Sequence, residues 1–358
     1  MKIYNFKSIS VLLLICMLLT ACGGGESASE TGGSTMTETT GTSVTEPVST
    51  QPPTTETAPT DPAPTEPAPT EPAPTDPAPT EPEPTDPAPT EPVPPVVEPV
   101  VPESCMVPVL MFHDVKANPG GTWSMSEENF RSRMQFLLDN GFTPITFNQL
   151  VDYAHWGSPL PEKPVCVTLD DGYYSNYKYV FPIVKELNIP ITVFVNFSTV
   201  RAEGTPPDPN ENTLPKLSFS ELAEMESSPL VHIQSHTYAL HGENTSYSEE
   251  VRLSALPLEG EGEAEYKEIF SRDCQLVEDA LKKIGTWNNL VFSYPNGRHH
   301  QWSEEVLRER GYLVSLTTNY GHVNRVKRNV PSSLYLLGRM NVNDDTTDAD
   351  LLKYLERE

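Results

Sequence analysis

The chain has 358 residues, 37 of them proline, with 50 acidic against 24 basic side chains and a net charge of −26. Fifteen of the acids fall within residues 26–103, which hold no Lys or Arg, so from Ser104 onward 35 acids face 22 bases, about −13. That balance argues against nucleic acid as a partner, and past the first twenty residues no run of about eighteen apolar residues exists to cross a membrane.

Residues 1–21 read as a lipoprotein signal peptide. Lys2 and Lys7 give a basic start, and Val11 to Leu19 form an apolar run too short to span a bilayer. Leu19-Thr20-Ala21-Cys22 has the form of a bacterial lipobox, with Gly23 to Gly25 following it. Cys22 is then the lipidation site, and the expected location is the extracellular face of a bacterial cell membrane, held by a lipid anchor. Residues 22–103 are expected to be a disordered Pro/Thr/Glu-rich linker built on an Ala-Pro-Thr-Glu/Asp-Pro unit. Such a segment has too little apolar surface to offset its conformational entropy. As polyproline II at about 3.1 Å per residue, Glu46 to Glu103 reaches roughly 180 Å at most. Three cysteines remain after Cys16 and Cys22. Cys166 sits in an apolar run and reads as a buried hydrophobe, while a Cys105–Cys274 pair stays open.

Residues 104–358 have the size of one α/β barrel. Strand-like apolar runs occur at Val107–Phe112, Thr143–Thr146, Val165–Leu169, Ile191–Val195, Val231–Gln234, Leu290–Ser293 and Tyr312–Leu316. Between them, Ser126 caps a helix carrying Phe130, Met134, Leu137 and Leu138 and ended by Gly141. Other helical patterns run from Phe147 to Trp156, from Ser220 through Met225, and from Ala264 to Ile284. The alternation predicts an α/β fold with a parallel sheet, closed as an irregular barrel of about seven strands. No Gly-x-Gly-x-x-Gly follows a strand, which removes the main dinucleotide reading.

Ionisable groups gather at three strand ends, where barrels of this kind carry their chemistry. Val165 to Leu169 runs straight into Asp170-Asp171-Gly172-Tyr173. Neighbours on an extended chain face opposite ways, so the two carboxylates are able to serve different tasks. Val231 to Gln234 leads to Ser235-His236, with His241 five residues on; that spacing separates them on a helix, so an irregular turn must join them. Two imidazoles and a carboxylate suit zinc or a similar divalent ion with positions left for water and substrate. Phe292-Ser293-Tyr294-Pro295-Asn296-Gly297 is a strand entering a tight turn, whose N–H groups suit an oxyanion. Taken singly, each pattern is more often a solvated turn or a satisfied histidine.

In order and context, Thr168 to Tyr173, Ser235-His236-Thr237 with His241, and Tyr294 to Gly297 resemble the first three motifs of carbohydrate esterase family 4, the polysaccharide deacetylases. Val109-Leu110-Met111-Phe112-His113-Asp114-Val115 is similar to the start of that domain in extracellular members, and the His-x4-His spacing resembles the poly-N-acetylglucosamine deacetylase branch. The resemblance implies a distorted (β/α)7 barrel and an enzyme that removes N-acetyl groups from an acetylated polysaccharide. Position by position, it implies that Asp171, His236 and His241 hold a divalent metal ion, zinc first with cobalt or nickel as alternatives. Asp170 would be the general base that takes a proton from the attacking water. The backbone N–H of Asn296, where the family often has Tyr, would face the oxyanion.

The family's late Leu-x-His motif has no match: Leu336-Leu337-Gly338-Arg339-Met340-Asn341-Val342 stands in its place. Two expectations follow. His113 substitutes as the acid or tunes Asp170, against the alternative of a buried histidine bonded to backbone; Arg339 orients Asp170. Tyr173, Tyr174, Tyr238, Tyr294 and Trp302 are expected sugar-binding surfaces, with core packing as the alternative. His232 reads as structural, and His299 and His300 as rim residues. Two other functions use the same barrel: an O-acetyl esterase on xylan or wall glycan, whose leaving group needs less protonation, and a catalytically weak glycan-binding protein.

Overall fold

The computed structural model describes residues 101–243, 250–286 and 291–357. The signal segment, Cys22, the linker up to residue 100 and Leu290 lie outside the described residues. Among the described residues a sheet of eight short strands forms the centre: β1 Val109–Phe112, β2 Thr143–Pro144, β3 Pro164–Leu169, β4 Ile191–Asn196, β5 Val231–Thr237, β6 Val291–Ser293, β7 Val314–Leu316 and β8 Met340–Asn341. Their order is β7-β6-β5-β4-β3-β1-β8, with β2 beside β3, and every pairing is parallel. β1, β3 and β4 are buried along their whole length, as expected for apolar runs covered on both faces.

The sheet curls into the expected distorted barrel, and one segment reaches both of its edges. Leu337 N donates to Ser315 O (2.9 Å) and Thr317 N to Leu337 O (2.8 Å), beside β7. Three residues later Met340 and Asn341 pair with Leu110 and Met111 of β1. Gly338 makes this path feasible, because a Cβ there would lie 2.1 Å from Asn319 O.

Helices wrap the sheet: α1 Glu127–Asp139, α2 Phe147–Trp156, α3 Phe181–Leu187, α4 Phe219–Glu226, α5 Glu263–Ile284, α6 Gln301–Glu309 and α7 Asp348–Leu355. Their starts are written in the sequence. Ser126 accepts from Asn129 N at α1, and Thr146 with Gln149 and Ser218 with Glu221 form capping boxes at α2 and α4. Leu138, expected on the apolar side of α1, is exposed; Phe130, Met134 and Leu137 carry that face. The Cys105–Cys274 pair does not form: both thiols are free, Cys274 packed with Tyr266 and Phe270 and Cys105 against a different cluster.

One half-buried acid couples α4 to β5. Glu226 Oε2 accepts from Ile233 N (2.6 Å), and burial pushes its carboxyl up to about 7. A carboxyl raised on folding contributes stability that is present below its unfolded value and lost as pH rises through about 7. This group is therefore expected to lower the wild-type melting temperature between about pH 5 and pH 7 and to leave it level above that. Glu226→Gln is expected to flatten that slope and to gain on the order of 2 kcal/mol at the alkaline end. Thermal melts across that range check it; parallel slopes for the two proteins would refute it.

Candidate metal centre

Asp170 still belongs to the sheet, its N–H donating to Phe112 O (2.9 Å), and its side chain is 2% exposed. A buried carboxylate needs a partner, and the barrel-closing segment supplies it. Arg339, fully buried, donates from Nη1 to Asp170 Oδ1 and from Nη2 to Asp170 Oδ2, both at 2.7 Å. Its remaining donors reach Thr168 Oγ1 (3.2 Å), Ser293 Oγ (2.8 Å) and Thr317 O (3.2 Å), so the whole guanidinium fork is satisfied. Burial, the largest single influence, would raise the Asp170 pKa; the charge and hydrogen bonds of Arg339, together with the nearby His236 and His113, outweigh it and hold the carboxyl below its ordinary value.

At Asp171 the chain leaves the strand through a left-handed turn, φ 71°, followed by Gly172 at φ 60°. This swings the second carboxylate away from the first. Asp171 Oδ1 lies 3.6 Å from His236 Nε2 and 3.4 Å from His241 Nε2, and Oδ2 accepts from Tyr173 OH (2.9 Å). His236, at the end of β5, sends Nδ1 to Ser293 O at 2.7 Å. A carbonyl only accepts, so Nδ1 carries the proton and Nε2 keeps a lone pair facing Asp171. Burial lowers the His236 pKa to about 4, which keeps that ring neutral.

The turn from His236 to His241 is built by side chains from elsewhere. Asp273 of α5, fully buried, accepts from Tyr238 N (2.8 Å) and Ala239 N (2.9 Å), and Thr237 Oγ1 from Leu240 N (3.2 Å). Glu243 Oε2 accepts from His241 N (3.0 Å), while its Oε1 accepts from Asn196 Nδ2 (2.6 Å) at the end of β4. These contacts join two histidines that no regular element would bring together.

Asp170, Asp171, His236, His241, His113 and Asn296 line one cavity of about 340 Å³. His113 stands against the Trp123 ring, centroids 4.7 Å apart, and its buried Nδ1 has no hydrogen-bond partner, so the backbone-bonded alternative for that nitrogen does not hold. Burial lowers its pKa despite both nearby carboxylates. Asn296 adopts φ 55° and donates from Nδ2 to Leu253 O (3.0 Å). The next residue must be glycine, since a Cβ on Gly297 would sit 2.4 Å from Thr318 N.

The aromatic expectations divide. Tyr173 lines the cavity, though its hydroxyl is bound to Asp171 and Lys216 Nζ lies 3.7 Å above its ring. Tyr294 is not a substrate contact: it is fully buried between Phe292 and His299, with its hydroxyl donating to Glu304 Oε1 (2.9 Å). Tyr238 is likewise core-facing, packed on the main hydrophobic cluster outside the cavity lining. Trp302 packs on Tyr266, and Tyr174 on Tyr177. His300 caps α6 by accepting from Trp302 N. Sequence reasoning passed over Lys216, Glu243, Asn196 and Trp123, all of which line the cavity, and Ser293, which touches both His236 and Arg339.

Donor chemistry tests the fit to a metal. Asp171, His236 and His241 offer three ligand atoms that all lie within 4.8 Å of one another, from a carboxylate held ionised and an imidazole held neutral. The His236 nitrogen that faces away is anchored on a carbonyl, the usual support for a metal-ligating histidine. The set fits a divalent ion.

The sequence profile of the family Polysaccharide deacetylase matches residues 157–315. Poly-beta-1,6-N-acetyl-D-glucosamine N-deacetylase of Escherichia coli (strain K12) is 29% identical over 237 residues, covering 60% of this chain and 34% of that protein, so the chain spans about a third of that relative's length. Among solved structures, IcaB from Ammonifex degensii is 25% identical with a TM-score of 0.55, over 70% of this chain and 97% of that one. A de-N-acetylase from Aggregatibacter actinomycetemcomitans shares the fold with a TM-score of 0.58 at 23% identity, over 70% of this chain and 100% of that one.

Proposed function

We propose, for a chain that belongs to the polysaccharide deacetylase family, that it hydrolyses the N-acetyl amide of an N-acetylglucosamine-containing polysaccharide and releases acetate. One observation carries this reading: three ligand atoms within 4.8 Å of one another, beside a separately held carboxylate in the same cavity. A divalent ion on Asp171, His236 and His241 supplies a Lewis acid that polarises the acetyl carbonyl and lowers the pKa of water. The metal proposed is zinc.

Asp170 takes the proton of the attacking water on a carboxylate oxygen. Arg339 holds both of those oxygens, which fixes the plane of the carboxylate and keeps it ionised. The main-chain N–H of Asn296, in the turn that borders the cavity, is the donor proposed for the developing oxyanion. The leaving nitrogen needs a proton, and His113, which lines the cavity and whose buried Nδ1 has no hydrogen-bond partner, is the donor proposed for it. Full turnover by a metal-loaded His113→Ala protein would end that role.

Metal analysis combined with acetate release tests the reading. The expected substrate is an oligomer of β-1,6-linked N-acetylglucosamine, the polymer named in the Escherichia coli relative. Acetate from acetylated xylan alone would make the protein an O-acetyl esterase, and bound metal with no acetate from any glycan would leave a binding protein. The proposed setting is the outer face of a bacterial membrane, anchored through a lipid on Cys22. In whole cells Cys22→Ser is expected to abolish incorporation of labelled fatty acid and to move the protein out of the membrane fraction.

A further inference from the structure

Lys216 stands where electrostatics alone would not put it. It lines the cavity of the metal ligands, and a fixed ammonium beside a site for a divalent cation opposes the ion. Burial disfavours that charge further. Its contacts explain its presence. Nζ donates to the main-chain oxygen of Asp171 (2.9 Å) and lies 3.7 Å from the centre of the Tyr173 ring. The hydroxyl of the same tyrosine donates to Asp171 Oδ2 (2.9 Å).

Asp171 needs such support. Its φ of 71° is a left-handed conformation that a residue with a Cβ adopts only at a cost, typically 1–2 kcal/mol. Gly172 continues the turn at φ 60°, and its oxygen accepts from Leu217 N (3.0 Å) while Tyr174 N donates to Pro215 O (2.7 Å). The strip 215–217 thus runs along 172–174, with Tyr173 and Lys216 as directly opposed partners. Lys216 and Tyr173 grip Asp171 from two sides, one at the carbonyl and one at Oδ2, and Oδ1 is left facing His236 and His241.

We propose that Lys216 is a positioning residue for the metal site: its ammonium pins the Asp171 carbonyl, and so holds the left-handed turn that aims Asp171 Oδ1 at the two histidines. The proposal rests on the metal-site reading above and adds a residue that acts on the site through Asp171.

The sign of one measurement separates positioning from charge. The chain is stripped of metal and titrated with zinc, without substrate, for the wild type, Lys216→Ala, Lys216→Met and Lys216→Arg. Positioning predicts that Ala and Met weaken zinc binding about 10- to 100-fold, the range for loss of a support behind a metal ligand. It also predicts that Arg, which retains a donor, recovers most of the affinity, and that added ethylammonium partly restores Lys216→Ala. If the lysine acts only through its charge, the same Ala and Met variants bind zinc more tightly, which would overturn the proposal. Unchanged zinc affinity with a raised KM would overturn it too, making Lys216 a substrate contact. Thermal melts of each metal-free variant keep a folding defect apart from these results; weakened binding that neither Arg nor ethylammonium recovers in a folded protein also counts against positioning. A wild-type chain that takes up no zinc removes the metal-site reading itself, and this inference with it.

Discussion

Asp170→Asn is expected to lower acetate release about 10³-fold, within the range for loss of a positioned base, while bound metal stays near the wild-type level. The two carboxylates are adjacent in sequence but separate in duty: Asp171 faces the histidines and Asp170 faces Arg339. A ligand's loss removes metal, whereas a base's loss leaves it in place. Arg339→Met gives the complementary result. Burial pushes the Asp170 pKa up, and the charge and hydrogen bonds of Arg339, with His236 and His113, together more than cancel it, so the carboxyl sits below its ordinary value. Without Arg339 the burial is opposed only by His236 and His113. The acid limb of the pH–rate profile is then expected to move upward by about one unit or more. Stability follows the same sign: in the wild type this pair contributes above the unfolded carboxyl pKa, and the contribution is lost as pH falls through the depressed folded value. Breaking a buried pair from one side costs about 3–5 kcal/mol, so Arg339→Met should also melt earlier at neutral pH. An acid limb that does not move in Arg339→Met would show that the guanidinium only fills space.

What the sequence could and could not say about this site follows from how each part is encoded. The seven expected strands all appear, because β1, β3 and β4 are apolar runs between breakers and need no long-range information. β8, two residues long, carries no such pattern; it exists because the segment around Arg339 must meet both sheet edges. The short helices α3, α6 and α7 have no counterpart among the expected helices; at seven to nine residues their periodicity is weak, and only α4, which starts with a Ser218–Glu221 capping box, stood out at that length. Asp170, Asp171, His236 and His241 were legible because their residue types are unusual directly after a strand. Lys216 and Glu243 were not, because a lysine or glutamate in a polar loop looks solvated until the fold brings it to a wall. Tyr173 does line the cavity, but the expectations for Tyr238 and Tyr294 failed on the same ground: proximity in sequence to a motif says nothing about side-chain direction. Tyr294 follows β6 and points into the core, although Asn296, two residues on, lines the cavity.

Removing the metal, or one of its ligands, should have the largest effect of all. Asp171→Asn and His241→Ala are expected to bind the ion far more weakly, though still measurably at high ion concentration, and to lose at least about 10³-fold in turnover, the effect of forfeiting both polarised carbonyl and activated water. A second readout avoids activity altogether. An ion that binds the folded chain at a thousand times its Kd stabilises it by about 4 kcal/mol, so a chelator should lower the wild-type melting temperature and leave Asp171→Asn unmoved. The pH dependence of binding distinguishes the two histidines. His236 is neutral down to about 4 because it is buried, so near neutrality it has no proton to release. Burial also pulls His241 down, but its bond to Asp171 and the charges of Asp171, Glu243 and Asp170 together outweigh that and raise its pKa above the ordinary value. As pH falls through that raised value His241 takes up a proton that an incoming ion must displace. Metal affinity is therefore expected to fall about tenfold per pH unit there, with one proton released per ion bound. That slope should flatten above the His241 pKa and disappear in His241→Ala. A slope that survives in His241→Ala would move the coupled proton to another group and break the link between His241 and the ion.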